Sequence, residues 1–201
     1  MLILDAALDS FFDLGFNRTT TEKIARRARV SRGAMLHHFP QRTDLVQAAV
    51  VHLNSKRLEL FEQSLSQLNE GSEYTLVEEG IDAFWEQLRS PDFAVYCELL
   101  SASRTDSELR AALAPAIREF TQAWREKSEQ IFPDLAQSKQ YGLATALTRF
   151  LLEGIAFNAQ SMEATPSSMA AEELIGWLKS SLRELFDDVA LSKAALRDPQ
   201  R

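Results

Sequence analysis

The stretch TTTEKIARRARVSRGAMLHHFP, Thr19 to Pro40, decides how this chain is read. Thr19 with Glu22 fits a capping box that opens one helix, with Thr20 an equally suitable cap, and the apolar positions Ile24 and Ala28 carry it forward. Ser31 caps a second helix. Pro40 closes it, because the residue before a proline is pushed out of helical geometry. Between them lies only the turn Arg29-Val30-Ser31. Two short helices on so brief a turn make a helix-turn-helix, whose second helix enters a DNA major groove while the first braces it. Ile24, Ala25, Ala28, Val30, Met35 and Phe39 are spaced to form its small core. Gly33 and Ala34 keep the leading end of the second helix slim enough to approach base edges.

Charge supports this reading. The chain carries a net −7, yet Arg18, Lys23, Arg26, Arg27, Arg29, Arg32 and Arg42 face only Glu22 and Asp44 between positions 18 and 44, a local balance of +5 that leaves −12 elsewhere. A short positive segment on an acidic body is the footprint of a nucleic-acid-binding head. The 201 residues, 45% hydrophobic and 25% charged, suffice for one large domain or two small ones. No apolar run approaches the roughly 18 residues needed to cross a bilayer, and Asp5 interrupts the N-terminus before a signal-peptide core forms, so a cytoplasmic protein is expected. Cys97 is the only cysteine, which excludes an intrachain disulfide. His37 and His38 are neighbours that point about 100° apart on a helix, so they do not chelate one metal, and no metal or cofactor is expected.

Outside this stretch everything legible has helical period, and the fold class is all-α with about nine helices. The first helix spans Leu2 to Leu14, with Leu4, Leu8, Phe11 and Phe12 inward and Gly15 as a left-handed cap. A fourth runs from Thr43 to Leu68 and breaks at Asn69-Glu70-Gly71-Ser72; a fifth ends before Ser90-Pro91, which opens a sixth. Thr105 and Glu108 suit a capping box for a seventh, which Pro115 should kink or break and Phe132-Pro133 ends. Two final stripes step by three and four: Ala144, Leu147, Leu151, Gly154, Asn158, then Ala171, Ile175, Leu178, Leu182, Leu185, Val189. Such seams suit helix-on-helix packing. Lys193 to Arg201 reads as a polar tail.

The segment ILDAALDSFFDLGFNRTTTEKIARRARVSRGAMLHHFPQRTDLVQAAV, Ile3 to Val50, resembles the DNA-binding head of the TetR (AcrR-type) family of bacterial transcriptional regulators. The opening Ile-Leu-x-Ala-Ala, the Gly-Phe turn, Thr-Thr-x-x-x-Ile-Ala, Val-Ser-x-Gly and His-His-Phe recur there in that order. The resemblance implies a DNA-binding domain over 1–46 and a helical effector-binding and dimerisation domain over 47–201. It implies that Thr20, Thr21, His38 and Arg42 hold phosphates while Arg32, Gly33, Ala34 and His37 face base edges. Those residue types suit the roles: hydroxyls at a helix N-terminus meet phosphate oxygens, Arg32 suits guanine, and the Ala34 methyl suits a thymine methyl. Two positions depart from the family. Leu36 stands where a tyrosine commonly holds a phosphate. Arg29 stands where glycine commonly leaves the second helix; left-handed geometry there costs a side chain roughly 1 kcal/mol, which a phosphate contact from Arg29 would offset.

For the body, the resemblance implies homodimers joined through the last two helices, here through Leu147, Leu151, Gly154, Asn158, Ile175, Leu178, Leu182 and Leu185. It also implies a small-molecule effector among the middle helices, for which Phe84, Trp85, Tyr96, Phe120, Trp124, Phe150 and Phe157 supply aromatic lining and Glu98, Arg104, Arg149 and Asn158 polar contacts. The whole then reads as a ligand-responsive regulator, a repressor by family habit, on a pseudo-palindromic double-stranded operator. The alternative keeps the DNA-binding head but gives the body a protein partner and no small ligand. An enzyme is not expected: the chain has no Gly-x-Ser-x-Gly, phosphate-cradling glycine loop or His-Glu-x-x-His, and Asp187-Asp188 is a solvated helix end.

Overall fold

The computed structural model describes residues 2–66, 73–133, 135–161 and 167–197. Among the described residues every regular element is helical: α1 Leu2–Leu14, α2 Thr21–Arg27, α3 Arg32–His38, α4 Arg42–Ser66, α5 Glu73–Leu88, α6 Pro91–Ala102, α7 Ser107–Ile131, a 3-10 turn Leu135–Gln137, α8 Lys139–Ser161 and α9 Ser167–Arg197. The chain divides into two compact units, one of residues 1–62 with 89–123 and one of 63–88 with 124–201. The expected end of the fourth helix at Leu68, the break at Asn69–Ser72 and the tail from 198 onward lie outside the described residues, as do the side chains of Asp187, Asp188 and Val189. Residues 193–197, read as tail, continue α9.

The first unit is organised by α1. Leu8 and Phe11 are 2% exposed and Ala7 fully buried, and the Phe11 ring meets Phe16 with centroids 5.5 Å apart. Phe12, expected inward, is 52% exposed, since the step from Phe11 turns it about 100° off the buried stripe. Gly15 ends α1 at φ +77°, the left-handed cap expected of it. Met35, Leu45, Val50, Leu99, Leu109 and Leu113 complete one continuous core, against which Ala28, Val30 and Phe39 are partly buried. Cys97 is buried on α6 beside fully buried Leu99.

One cap falls to the second of two equally suited residues, and one differs from expectation. Thr20 caps α2, its hydroxyl accepting the Lys23 amide at 3.3 Å, because Thr19 is buried and its hydroxyl bonds the Ser10 and Gly15 carbonyls at 3.0 and 2.8 Å. Asp106, not Thr105, caps α7, accepting the Leu109 amide at 2.9 Å. Ser90 and Pro91 open α6 as expected, the serine hydroxyl accepting the Phe93 amide at 3.3 Å. α7 runs unbroken through Pro115, which is exposed, as is Ala111, whose carbonyl the proline leaves without an amide donor.

In the second unit α5, α8 and α9 pack together. Tyr141, Ala144, Thr148, Leu152 and Ala156 form the buried stripe of α8, and Ile175, Leu178, Leu182 and Phe186 that of α9. Lys179 pairs with Asp82 at 2.6 Å and Arg183 with Glu78, so α5 and α9 run antiparallel at this ladder. The pairs are surface features of small energetic weight. The Phe84 ring lies against Trp124 with centroids 4.2 Å apart.

Candidate nucleic-acid interface

The α2–α3 corner is built by short-range hydrogen bonds. After α2 the Arg29 amide donates to the Arg26 carbonyl at 3.2 Å and the Val30 amide to Ala25 at 3.0 Å. That reversal places Arg29 at φ +57°, the left-handed geometry expected where the family commonly has glycine. Ser31 then caps α3, its hydroxyl accepting the Ala34 amide at 3.1 Å. Met35, 1% exposed, is the one residue of α3 buried in the core, and Arg32, Gly33, Ala34, Leu36, His37 and His38 are all exposed. A seven-residue helix held by one inward side chain owes its order to its neighbours. A Cβ at Gly33 would meet nothing closer than the Ser31 hydroxyl at 3.9 Å, so packing within the chain does not require the glycine. What glycine does there is keep the outward surface low.

The positive charges of this segment fall into two groups. Arg27 pairs with Asp13, Arg18 donates to the Leu14 carbonyl at 2.8 Å, and Lys23 donates to the Arg18 carbonyl at 2.6 Å. These three tie the segment together. Arg29 and Arg32 project from the exposed corner, and the Arg32 charge reaches Glu22. The Glu22 carboxyl is held below its usual range first by its own backbone amide, then by the Thr20 hydroxyl, with Arg32 adding to both. Arg42, the first residue of α4, stacks its guanidinium 4.6 Å from the centre of the Phe16 ring and donates to the Phe16 carbonyl at 3.4 Å. Thr20 is exposed and Thr21 half-buried at the start of α2. The expected contact residues thus share one unit, distributed over the N-termini of α2 and α4 and the exposed side of α3. Among the described residues no group of three His, Cys, Asp or Glu gathers at metal-binding distance.

The residues expected to line an effector site are dispersed between the units. Tyr96, Glu98, Arg104 and Phe120 belong to the first; Phe84, Trp85, Trp124, Phe150 and Asn158 belong to the second. Glu98 accepts the Phe16 amide at 2.6 Å, and Arg104 is exposed, its carbonyl accepting from Arg110 at 3.0 Å. Phe150 is 62% exposed with the Arg149 guanidinium 4.8 Å from its centre, and the Asn158 amide bonds the Gly154 carbonyl at 2.8 Å. Arg57 was not singled out by the sequence. It is buried, 4.0 Å from the centre of the Tyr96 ring and 4.2 Å from that of Phe120. A guanidinium desolvated between two rings is worth about 2 kcal/mol. Its signal was available: Val50, Leu53, Arg57 and Phe61 step by three and four along α4, so an arginine occupies an apolar stripe.

The stripe expected at a dimer seam also divides. On α8, Leu147, Gly154 and Asn158 are exposed and Leu151 is half-buried. On α9, Ile175, Leu178 and Leu182 are buried within their own unit and Leu185 is half-buried. On α8 and α9, among the described residues, the large apolar side chains left in solvent are Leu143, Leu147, Phe150, Phe157, Leu174 and Trp177.

Residues 3–49 match the model of the bacterial regulatory proteins, tetR family. The chain is 24% identical over 119 residues to an uncharacterized HTH-type transcriptional regulator of Mycobacterium tuberculosis, covering 59% of this chain and only 60% of that protein's length. It is 24% identical over 183 residues to the HTH-type transcriptional regulator BetI of Cronobacter sakazakii, covering 87% of this chain and 90% of BetI. Among solved structures it superposes on a transcriptional regulator from Rhodococcus with a TM-score of 0.70 at 19% identity, covering 93% of this chain and 95% of the other. Salmonella enterica GusR gives 0.67 at 19% identity over 92% and 93%. These likenesses establish the fold, and residues 3–49 carry the helix-turn-helix head of the bacterial regulatory proteins, tetR family.

Proposed function

We propose that this chain is a ligand-responsive transcriptional repressor in the cytoplasm, binding a pseudo-palindromic operator as a homodimer. The observation that carries the reading is α3: one buried anchor, Met35, and an exposed face of Arg32, Gly33, Ala34, His37 and His38 on the positive segment of an acidic chain. Arg32, Gly33, Ala34 and His37 read base edges, while Thr20, Thr21, Arg29, His38 and Arg42 hold phosphates. Residues 1–46 carry this role, and 47–201 carry the effector site and the dimer contacts. The exposed apolar side chains of α8 and α9 support a second copy as the partner there, placing two α3 helices in major grooves about 34 Å apart. An effector that binds the DNA-incompetent arrangement better releases the operator by linkage.

Footprinting of the purified chain on fragments of its own genome tests this. The expected result is protection of an inverted repeat that persists against random-sequence competitor, with affinity falling steeply with salt. A chain that prefers no duplex over the competitor would remove the regulator reading.

A further inference from the structure

We propose that Glu98, on α6, is a positioning residue for the phosphate-binding end of α4; the inference rests on the DNA-binding reading above. The Phe16 amide donates to Glu98 Oε1 at 2.6 Å, a short charge-assisted bond between residues 82 positions apart. Glu98 is half-buried, and its neighbours Cys97 and Leu99 are buried, which anchors this turn of α6. The carboxylate also approaches the Gly15 backbone so closely that a Cβ there would lie 2.9 Å from Oε1. Gly15 is therefore required twice, by its φ of +77° and by the seat of this carboxylate.

Phe16 in turn holds Arg42 in two ways. Its carbonyl accepts from Arg42 Nη2 at 3.4 Å, and its ring lies 4.6 Å below the guanidinium. One peptide unit on each side of a single residue thus links Glu98 to Arg42. The cleft at this point is lined by Phe16, Arg42, Asp106 and Glu108. An Arg42 released from Phe16 has acids to turn toward, and its charge would then be withdrawn from a phosphate. The carboxylate does not touch DNA in this scheme; it holds the turn that holds the arginine.

The test uses the full chain and a mixed-sequence duplex, with affinity measured across a sodium chloride series, so that phosphate contacts are read without knowing an operator. Arg42→Ala should lower the salt slope by about one for each copy bound. Glu98→Ala should weaken binding roughly three- to tenfold and lower the slope in the same direction. In the Arg42→Ala background it should then change affinity by less than about twofold. Glu98→Gln, which keeps an acceptor oxygen, should restore most of the loss. Phe16→Leu, which keeps an apolar side chain and the backbone amide but removes the ring, should reproduce the slope change and serves if Glu98→Ala is poorly folded. Equal losses from Glu98→Ala with and without Arg42, or an unaltered slope in Phe16→Leu, would overturn the proposal while DNA binding by the unaltered chain stands. Absence of any binding by the unaltered chain would overturn the regulator reading and this inference together.

Discussion

α3 and α8 both leave most of one surface in solvent, and the chemistry of the two surfaces is opposite. α3 exposes an arginine, a glycine, an alanine, two histidines and a single leucine around one buried methionine. α8 exposes Leu143, Leu147, Phe150 and Phe157, spaced by four, three and seven, on the side away from its buried stripe. Water is a poor partner for the second surface and a good one for the first. A low, positively charged surface suits a polyanion with grooves; an apolar stripe suits another apolar stripe. Exposure alone does not distinguish a binding surface from a solvated one; the residue types do.

Breaking the apolar side should give the largest effect. Leu147→Asp with Phe150→Asp should remove about 6 kcal/mol of association across two copies, leaving a folded monomer by sedimentation velocity and abolishing operator binding. Leu178→Ala offers the contrast, since Leu178 is fully buried in its own chain: it should destabilise the fold itself by about 2 to 5 kcal/mol in denaturant titration. If the double aspartate variant stays dimeric, the α8 stripe is not the seam.

On the charged side, Arg32→Ala should cost about 1 to 3 kcal/mol on a selected operator and relax preference at one base pair, read by binding to a panel of single-base variants. A uniform loss over the panel would make Arg32 a phosphate contact instead. Smaller still, Arg29→Gly should raise stability by about 1 kcal/mol in thermal unfolding, because the φ of +57° no longer strains a side chain. The same variant should bind DNA less tightly, and undiminished affinity would remove Arg29 from the interface.

The smallest effect is confined to the second unit. Burial pushes the Tyr141 hydroxyl up from 10.0 to about 12, with the Ser128 hydroxyl acting in the opposite direction. A folded-state value raised above the unfolded one contributes stability that is complete below pH 10.0 and is lost as pH rises toward about 12. Tyr141→Phe should flatten that alkaline limb in denaturant midpoints taken either side of pH 10.0. An identical decline in the variant would assign the limb to other groups.

What could be read in advance was local. The Gly15 cap, the Ser31 cap, the Ser90-Pro91 start of α6 and the left-handed Arg29 follow from hydrogen bonds within a few residues, so the residues that make them adjoin in sequence. The α7 cap was missed by one residue although its bond is local, and the choice between Thr19 and Thr20 for α2 was decided at a distance. Thr19 was drawn from the capping position by the Ser10 carbonyl, nine residues away, which left the cap to Thr20. Periodicity marked the α9 stripe correctly as apolar but not which neighbour covers it, and α5 with α8 turned Ile175, Leu178 and Leu182 inward. The Glu98 contact with Phe16 and the seat of Arg57 between two rings depend on tertiary placement, with only the apolar register of Arg57 as a written trace.

The burial of Cys97 has a practical consequence. A buried thiol reacts slowly with maleimides and methanethiosulfonates, and the sequence holds no other. A single cysteine introduced on the solvent side of α3 would therefore accept a spin label or fluorophore selectively, without first stripping native thiols. Two labelled copies would then form a molecular ruler, reporting the separation of the reading helices directly, with and without duplex or candidate small molecules.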